Sequence, residues 1–149
     1  MAVSYSMRQA THADAAFLFA LNRQTMHDYV CQTWGSWDDA FQTKFFAEHF
    51  RPAENHMILM DNEPIGLLSV LRSPERHFVR ALQVSIGWQR RGIGTAVMQT
   101  LLAEARERGV PLELQVLKVN APARRLYGRL GFRATAENAT HVSMRASSF

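Results

Sequence analysis

Leu82-Gln83-Val84-Ser85-Ile86-Gly87-Trp88-Gln89-Arg90-Arg91-Gly92-Ile93-Gly94-Thr95 is the stretch from which the rest of the chain can be placed. Leu82, Val84 and Ile86 alternate with Gln83 and Ser85, as a strand requires. Beyond Thr95, the apolar residues Val97, Met98, Leu101, Leu102 and Ala105 recur at helical spacing. Gly92 and Gly94 stand between the two patterns, so the order is strand, glycine-containing turn, helix. The unpaired amides at a helix start carry partial positive charge, and glycine lets the backbone approach a bulky oxyanion closely. A phosphate or pyrophosphate is the natural guest, and Arg90 and Arg91 add charge beside it. The P-loop is excluded because the chain has no Gly-Lys pair. The dinucleotide fingerprint fits poorly too, with Val97 in place of its third glycine and Lys118 in place of its acidic residue.

The hexapeptide from Gln89 to Gly94 resembles the acetyl-CoA signature Gln/Arg-x-x-Gly-x-Gly/Ala of the GCN5-related N-acetyltransferases (GNAT). Asn120, Ala123 and Tyr127 add that family's Asn-x-x-Ala-x-x-x-Tyr arrangement, followed by Leu130-Gly131-Phe132, and the resemblance extends over residues 5–145. It implies acetyl-CoA as cofactor and direct attack of a primary amine, of a small molecule or a peptide or protein, on the thioester. The implied fold is α+β, a mixed and mostly antiparallel sheet with a central splayed parallel strand pair and flanking helices. In such a fold the backbone of Arg90, Arg91, Gly92, Ile93, Gly94 and Thr95 cradles the diphosphate. Backbone groups of Leu82, Gln83 and Val84 would pair with the pantetheine arm as an added strand, an amide near Val84 facing the thioester oxygen. Tyr127 would donate its proton to the departing thiolate, and Asn120 would cap its helix and touch the cofactor.

Composition sets the outer bounds. The chain has 149 residues, 47% hydrophobic and 20% charged, which fits one compact domain. Its net charge of +4 comes almost wholly from arginine, Lys44 and Lys118 being the only lysines. That excess suits a phosphorylated cofactor better than a specific nucleic-acid groove. Cys31 is the sole cysteine, which excludes an internal disulfide and favours a reducing interior. The start of the chain lacks an export pattern and no apolar run reaches membrane-spanning length, so a cytoplasmic location is expected.

In order, residues 3–8 read as an edge strand. Thr11 to Asp14 and Ser36 to Asp39 each place an acid three residues after a hydroxyl, the start of a helix. The first helix carries Phe17, Leu18, Leu21 and Met26, and the second carries Trp37, Phe41 and Phe45 at four-residue intervals. Residues 27–37 between them read as an aromatic connector. Residues 57–60 and 65–71 form a hairpin across Asp61-Asn62-Glu63-Pro64, and residues 78–84 lead into the glycine turn. A helix ending near Gly109, a strand over 112–119, a short helix stopped at Gly131 and a hairpin over 133–136 and 140–145 complete the chain.

The proton acceptor has several candidates. Relatives often carry a glutamate on the strand before the cradle, but residues 78–84 hold no carboxylate. Glu113 on the neighbouring strand, His77, His27, Asp28 and a chain of ordered water are the alternatives. Glu113 between Leu112 and Leu114 also reads as a plain exposed strand residue, and Tyr127 as a half-buried packing residue. Arg124 and Arg125 are either solvated or partners of cofactor phosphates. His27, Tyr29, Trp34 and Trp37 either wall the acceptor pocket or, for the tryptophans, anchor the second helix. Cys31 with His27 four residues earlier would allow a ping-pong route, although a lone cysteine is ordinarily inert filler. The six histidines show no paired spacing and no metal site is expected. A non-catalytic acyl-CoA-binding module is the competing function, and a homodimer is compatible with the resemblance.

Overall fold

The computed structural model of the protein describes residues 3–147. Its elements are β1 (Ser6–Gln9), α1 (Ala15–Trp34), α2 (Asp39–His49), β2 (Asn55–Met60), β3 (Glu63–Arg72), β4 (His77–Val84), α3 (Ile93–Arg108), β5 (Leu112–Leu117), α4 (Ala121–Arg129), β6 (Arg133–Glu137) and β7 (His141–Ala146). The strands form one seven-stranded sheet in the order β1-β2-β3-β4-β5-β7-β6. Every neighbouring pair is antiparallel except β4 and β5, which run parallel. This is the mixed sheet with a central parallel pair expected from the sequence, with the elements in the expected order.

The sheet separates two apolar layers. On one face Ile58, Leu68, Val79, Leu112, Leu114 and Val142 pack against Val97, Met98, Leu101 and Ala105 of α3 and Tyr127 of α4. These α3 residues are the ones whose spacing marks a buried stripe in the sequence. On the other face Met57 and Leu59 meet Leu18 and Leu21 of α1, with Phe17, Phe46 and Phe50 at the margin. Before α1, Asp14 accepts the Thr11 amide at 2.8 Å and both terminal nitrogens of Arg8 at 2.8 and 2.9 Å. The Arg8 hydrogen bonds, followed by the Thr11 amide, hold its carboxyl down to about 2 despite burial.

Several boundaries differ from the sequence reading, each for a local reason. The first strand starts at Ser6 rather than residue 3. Residues 27–34 are not a connector: α1 runs without a break to Trp34 and stops where Gly35 takes a left-handed φ of 93°. Thr25 and Thr33 fit within it by donating their hydroxyls to the carbonyls of Leu21 and Tyr29, at 2.9 and 2.8 Å. The cap of α2 is Asp38, which accepts the Phe41 amide at 3.0 Å, rather than Ser36. Nor is the α2 stripe a core face, because Phe41 and Phe45 are 58% and 49% exposed. Phe45 stacks instead on Phe41 and His49, with centroids 5.9 and 4.0 Å apart. The β2–β3 turn is tighter than expected: Asp61 and Asn62 alone make it, both at positive φ, as a two-residue hairpin turn requires.

Gly66 on β3 sets the position of β4. A Cβ at Gly66 would lie 2.5 Å from the Gln83 carbonyl oxygen and 3.3 Å from Ile58 Cδ1. Gly66→Ala is therefore expected to lower stability by about 1–3 kcal/mol through overpacking, measured as a reduced midpoint in urea. An unchanged midpoint would contradict this close approach.

Candidate functional site

The splay between β4 and β5 arises from their unequal partners. β4 pairs with β5 only at His77–Leu112, Phe78–Glu113 and Val79–Leu114. β5 meanwhile pairs along its whole length with β7. Directly after Val79, β4 carries a bulge: the pairing with β3 passes from Val79–Val70 to Ala81–Ser69, leaving Arg80 as the extra residue. A bulge bends the strand and increases its twist, so β4 leaves β5 at this point. Arg80 is held by an ion pair with Glu54.

Beyond the bulge, the Ser85 amide donates to the Ile65 carbonyl at 2.8 Å. Because backbone groups alternate direction along an antiparallel strand, Gln83 and Ser85 point toward β3, while Leu82 and Val84 turn theirs toward the gap. Gln83 thus differs from the sequence expectation: its backbone is committed to Leu67 and only its side chain is available. The Val84 carbonyl accepts from Gln89 Nε2 at 2.9 Å, which fixes the end of β4 and leaves the Val84 amide facing the gap. From the other face, Gln24 of α1 accepts the Ile86 amide at 2.9 Å and holds the loop leading to α3.

The turn that follows is contorted. Arg90 has φ 63° and Gly92 φ 81°, and the first helical bond runs from the Ala96 amide to the Gly92 carbonyl at 3.0 Å. Among the described residues, the amides of Gly92, Ile93, Gly94 and Thr95 donate no hydrogen bond. Four donors converge at a helix start, where the macrodipole adds positive potential. Ile93 can contribute only backbone, because its side chain is buried in the core. The Arg91 guanidinium lies over Trp88, 4.7 Å from the ring centroid, at the edge of this cradle. A Cβ on Gly94 would meet Leu126 of α4 and Leu82 of β4 at 3.7 and 4.0 Å, so the cradle, β4 and α4 share one wall.

Asn120 caps α4 by accepting the Ala123 amide at 3.2 Å. Arg124 donates to the Lys118 carbonyl at 3.1 Å, so its guanidinium is folded back along the chain. Tyr127, the residue after Leu126, is only 8% exposed and packs against Phe132 with centroids 5.6 Å apart. Burial pushes its phenol up to about 12, so it stays protonated at neutral pH. Among the described residues, no group hydrogen-bonds its hydroxyl.

The base candidates do not gather here. Glu113 accepts from Arg76 at 2.7 Å and from Arg145 at 2.6 Å, and its carboxyl lies below the ordinary range, the two guanidiniums outweighing desolvation. This carboxylate is clamped at the paired end of β4 and β5, away from Val84, where it ties β5 to Arg76 and Arg145. His77 is 4% exposed at the same end, with Nδ1 3.2 Å from Glu104 Oε2.

The acceptor residues divide into separate groups. His27 packs on Trp37 at 5.6 Å and its Nδ1 lies 3.0 Å from Asp28 Oδ1. Trp34 lies 6.4 Å from His141 of β7, while Tyr29 is half-buried on α1. His27 and Asp28 help line an open groove of about 520 Å³ with Phe19, Arg23 and Gln24. Cys31 Sγ is 3.9 Å from both ring nitrogens of His27, not in line with either lone pair, which is poor geometry for thiol activation. Among the described residues, no cluster of three His, Cys, Asp or Glu side chains could hold a metal ion, and no helix is long and apolar enough to cross a membrane.

Asn22, Gln24 and Gly66 were not singled out from sequence. A lone glycine within a strand signals close backbone approach and could have marked Gly66. The two polar residues of α1 gave no such signal, because their partners lie 61 and 62 residues away.

Comparisons with known proteins converge on one group. A family model described as Acetyltransferase (GNAT) family matches residues 22–132. No curated protein sequence matches the chain. The PaiA N-acetyltransferase from Thermoplasma acidophilum, in complex with coenzyme A, is 13% identical with a TM-score of 0.74, covering 97% of this chain and 99% of that one. The ribosomal-protein-S18-alanine N-acetyltransferase from Escherichia coli is 18% identical with a TM-score of 0.67, covering 95% and 92%. An Arabidopsis thaliana protein in complex with the bisubstrate analogue CoA-Ac-MVNAL is 17% identical with a TM-score of 0.66, covering 97% and 99%. At such identities the likeness is one of fold, whereas the family match spans most of the sequence. The chain belongs to the GNAT acetyltransferase family.

Proposed function

We propose that this protein is an acetyl-CoA-dependent N-acetyltransferase that acetylates a primary amine of a small molecule or peptide by direct attack on the thioester. The observation that carries this reading is the run of undonated amides at Gly92, Ile93, Gly94 and Thr95, which shares a wall with the splayed end of β4 and with the helix bearing Tyr127. These amides fit a diphosphate, and Arg90 and Arg91 supply adjacent positive charge. The outward backbone of Leu82 and Val84 offers strand-like pairing to an extended amide chain. When bound, acetyl-CoA supplies an acyl group activated by a thiolate leaving group.

The protein's own contributions are positional and protic. The Val84 amide faces the gap, where negative charge develops on the acyl oxygen. Tyr127 holds a proton at its hydroxyl for the departing sulfur. No carboxylate on β4 takes the proton of the amine, so that proton leaves through water.

Thiol release from acetyl-CoA across a panel of primary amines and short peptides tests this reading. The expected result is release that depends on at least one amine. Calorimetric binding of CoA without release on any amine would favour the acyl-CoA-binding module, and absence of CoA binding would remove both readings.

A further inference from the structure

We propose that the side-chain carbonyl of Gln83 receives an N–H of the incoming amine and orients its lone pair toward the acyl carbon; this rests on the acetyltransferase reading above. Three observations place it there. Register puts the Gln83 side chain on the α1 face, since its partner Leu67 packs with Leu18 and Leu21, while its neighbours Leu82 and Val84 pack into the opposite layer. Gln83 Nε2 donates to Asn22 Oδ1 of α1 at 3.0 Å, which fixes the orientation of the amide. Its Oε1 is shut off from solvent and accepts no hydrogen bond.

A buried carbonyl oxygen without a donor is costly, and interiors seldom keep one. This one sits one residue before Val84, where β4 has left β5 and no strand covers the gap. The cradle lies on the α3 side of the sheet and Oε1 on the α1 side at the level of Val84, so an acceptor arriving from the α1 side reaches Oε1 once the side chains covering it part. The missing partner is a donor, which a primary amine provides.

The chemistry suits an amide better than a carboxylate at this point. Gln83 accepts a hydrogen bond but takes no proton, so it leaves the amine neutral and its lone pair free. The nitrogen lone pair forms the bond to the acyl carbon, and the C–S bond breaks with its electron pair on sulfur. Sulfur takes one proton from the Tyr127 hydroxyl, and the nitrogen gives up one proton to water, through which the phenol is restored. As nitrogen gains positive charge its hydrogen bond to Oε1 strengthens, so the contact favours the reacting state.

Two CoA thioethers test the assignment by calorimetry without requiring turnover. One carries –CH2–CO–NH–propyl, with an N–H where the amine nitrogen would stand, and the other carries –CH2–CO–CH2–propyl. Wild type is expected to prefer the N–H probe by about tenfold, the value of one well-placed hydrogen bond. Gln83→Met should abolish that preference and Gln83→Glu should retain it, with affinity for CoA itself unchanged in both. Asn22→Ala, a change on the outer layer that frees the amide to rotate, should reduce the preference and guards against misfolding of the methionine variant. An equal preference in wild type and Gln83→Met, or none in wild type, overturns the role of Gln83 while leaving CoA binding intact. Failure of wild type to bind CoA overturns the cofactor reading, and this proposal with it.

Discussion

Tyr127→Phe is expected to lower acetyl transfer by about 100-fold, the lower range for losing a positioned general acid. The phenol is buried against Phe132 and its ionisation is pushed up to about 12, so wild type enters every turnover at neutral pH with the proton in place. Phenylalanine keeps the ring and its packing and removes only the oxygen. Because that hydroxyl accepts and donates nothing within the described chain, its removal leaves no partner unpaired and stability should change little. CoA affinity should also hold, since the diphosphate contacts lie on another element. Thiol release at saturating substrates, with CoA calorimetry alongside, checks both halves. Unchanged turnover would remove the acid role, while a parallel loss of folding would assign Tyr127 to the core alone.

Gly92→Val should weaken CoA binding about tenfold to hundredfold, combining backbone strain with loss of charge-assisted hydrogen bonds. Gly92 has φ 81°, a conformation that a β-branched residue tolerates poorly, and a Cβ there would stand 3.1 Å from Val3 Cγ2. Relief of both strains requires the turn to open, which disperses the four amides. Gly94→Ala is the internal comparison, since its Cβ would make only ordinary contacts with Leu126 and Leu82. Calorimetry that found wild-type affinity in Gly92→Val would discredit the cradle.

Much of this frame is readable from local pattern. The strand, glycine turn and helix around Gly92 are set by alternation giving way to 3.6-residue spacing, and the α3 core face of Val97, Met98, Leu101 and Ala105 follows directly. Asn120 as a cap is equally local. Some misreadings are local, and the others fall where distant partners decide. His27 to Trp34 are polar and aromatic, yet nothing there breaks a helix, and the Thr33 hydroxyl bonds back to the Tyr29 carbonyl. Phe41 and Phe45 have core-like spacing, but no layer faces them. For Glu113 the sequence shows a carboxylate on a strand, but not its partners Arg76 and Arg145, 37 and 32 residues away. For Gln83 the sequence marks a strand position, and only the register with Leu67 separates its backbone from its side chain.

The uneven joining of β4 and β5 makes the sheet a clothes-peg. Its closed end is three rungs long and riveted by Glu113 between two arginines; its jaws part at Arg80 and stay apart through Val84. A guest lying between the jaws completes the fabric of the sheet instead of resting on its surface. The Glu113 carboxylate is thus the pin at the closed end, opposite the parted jaws.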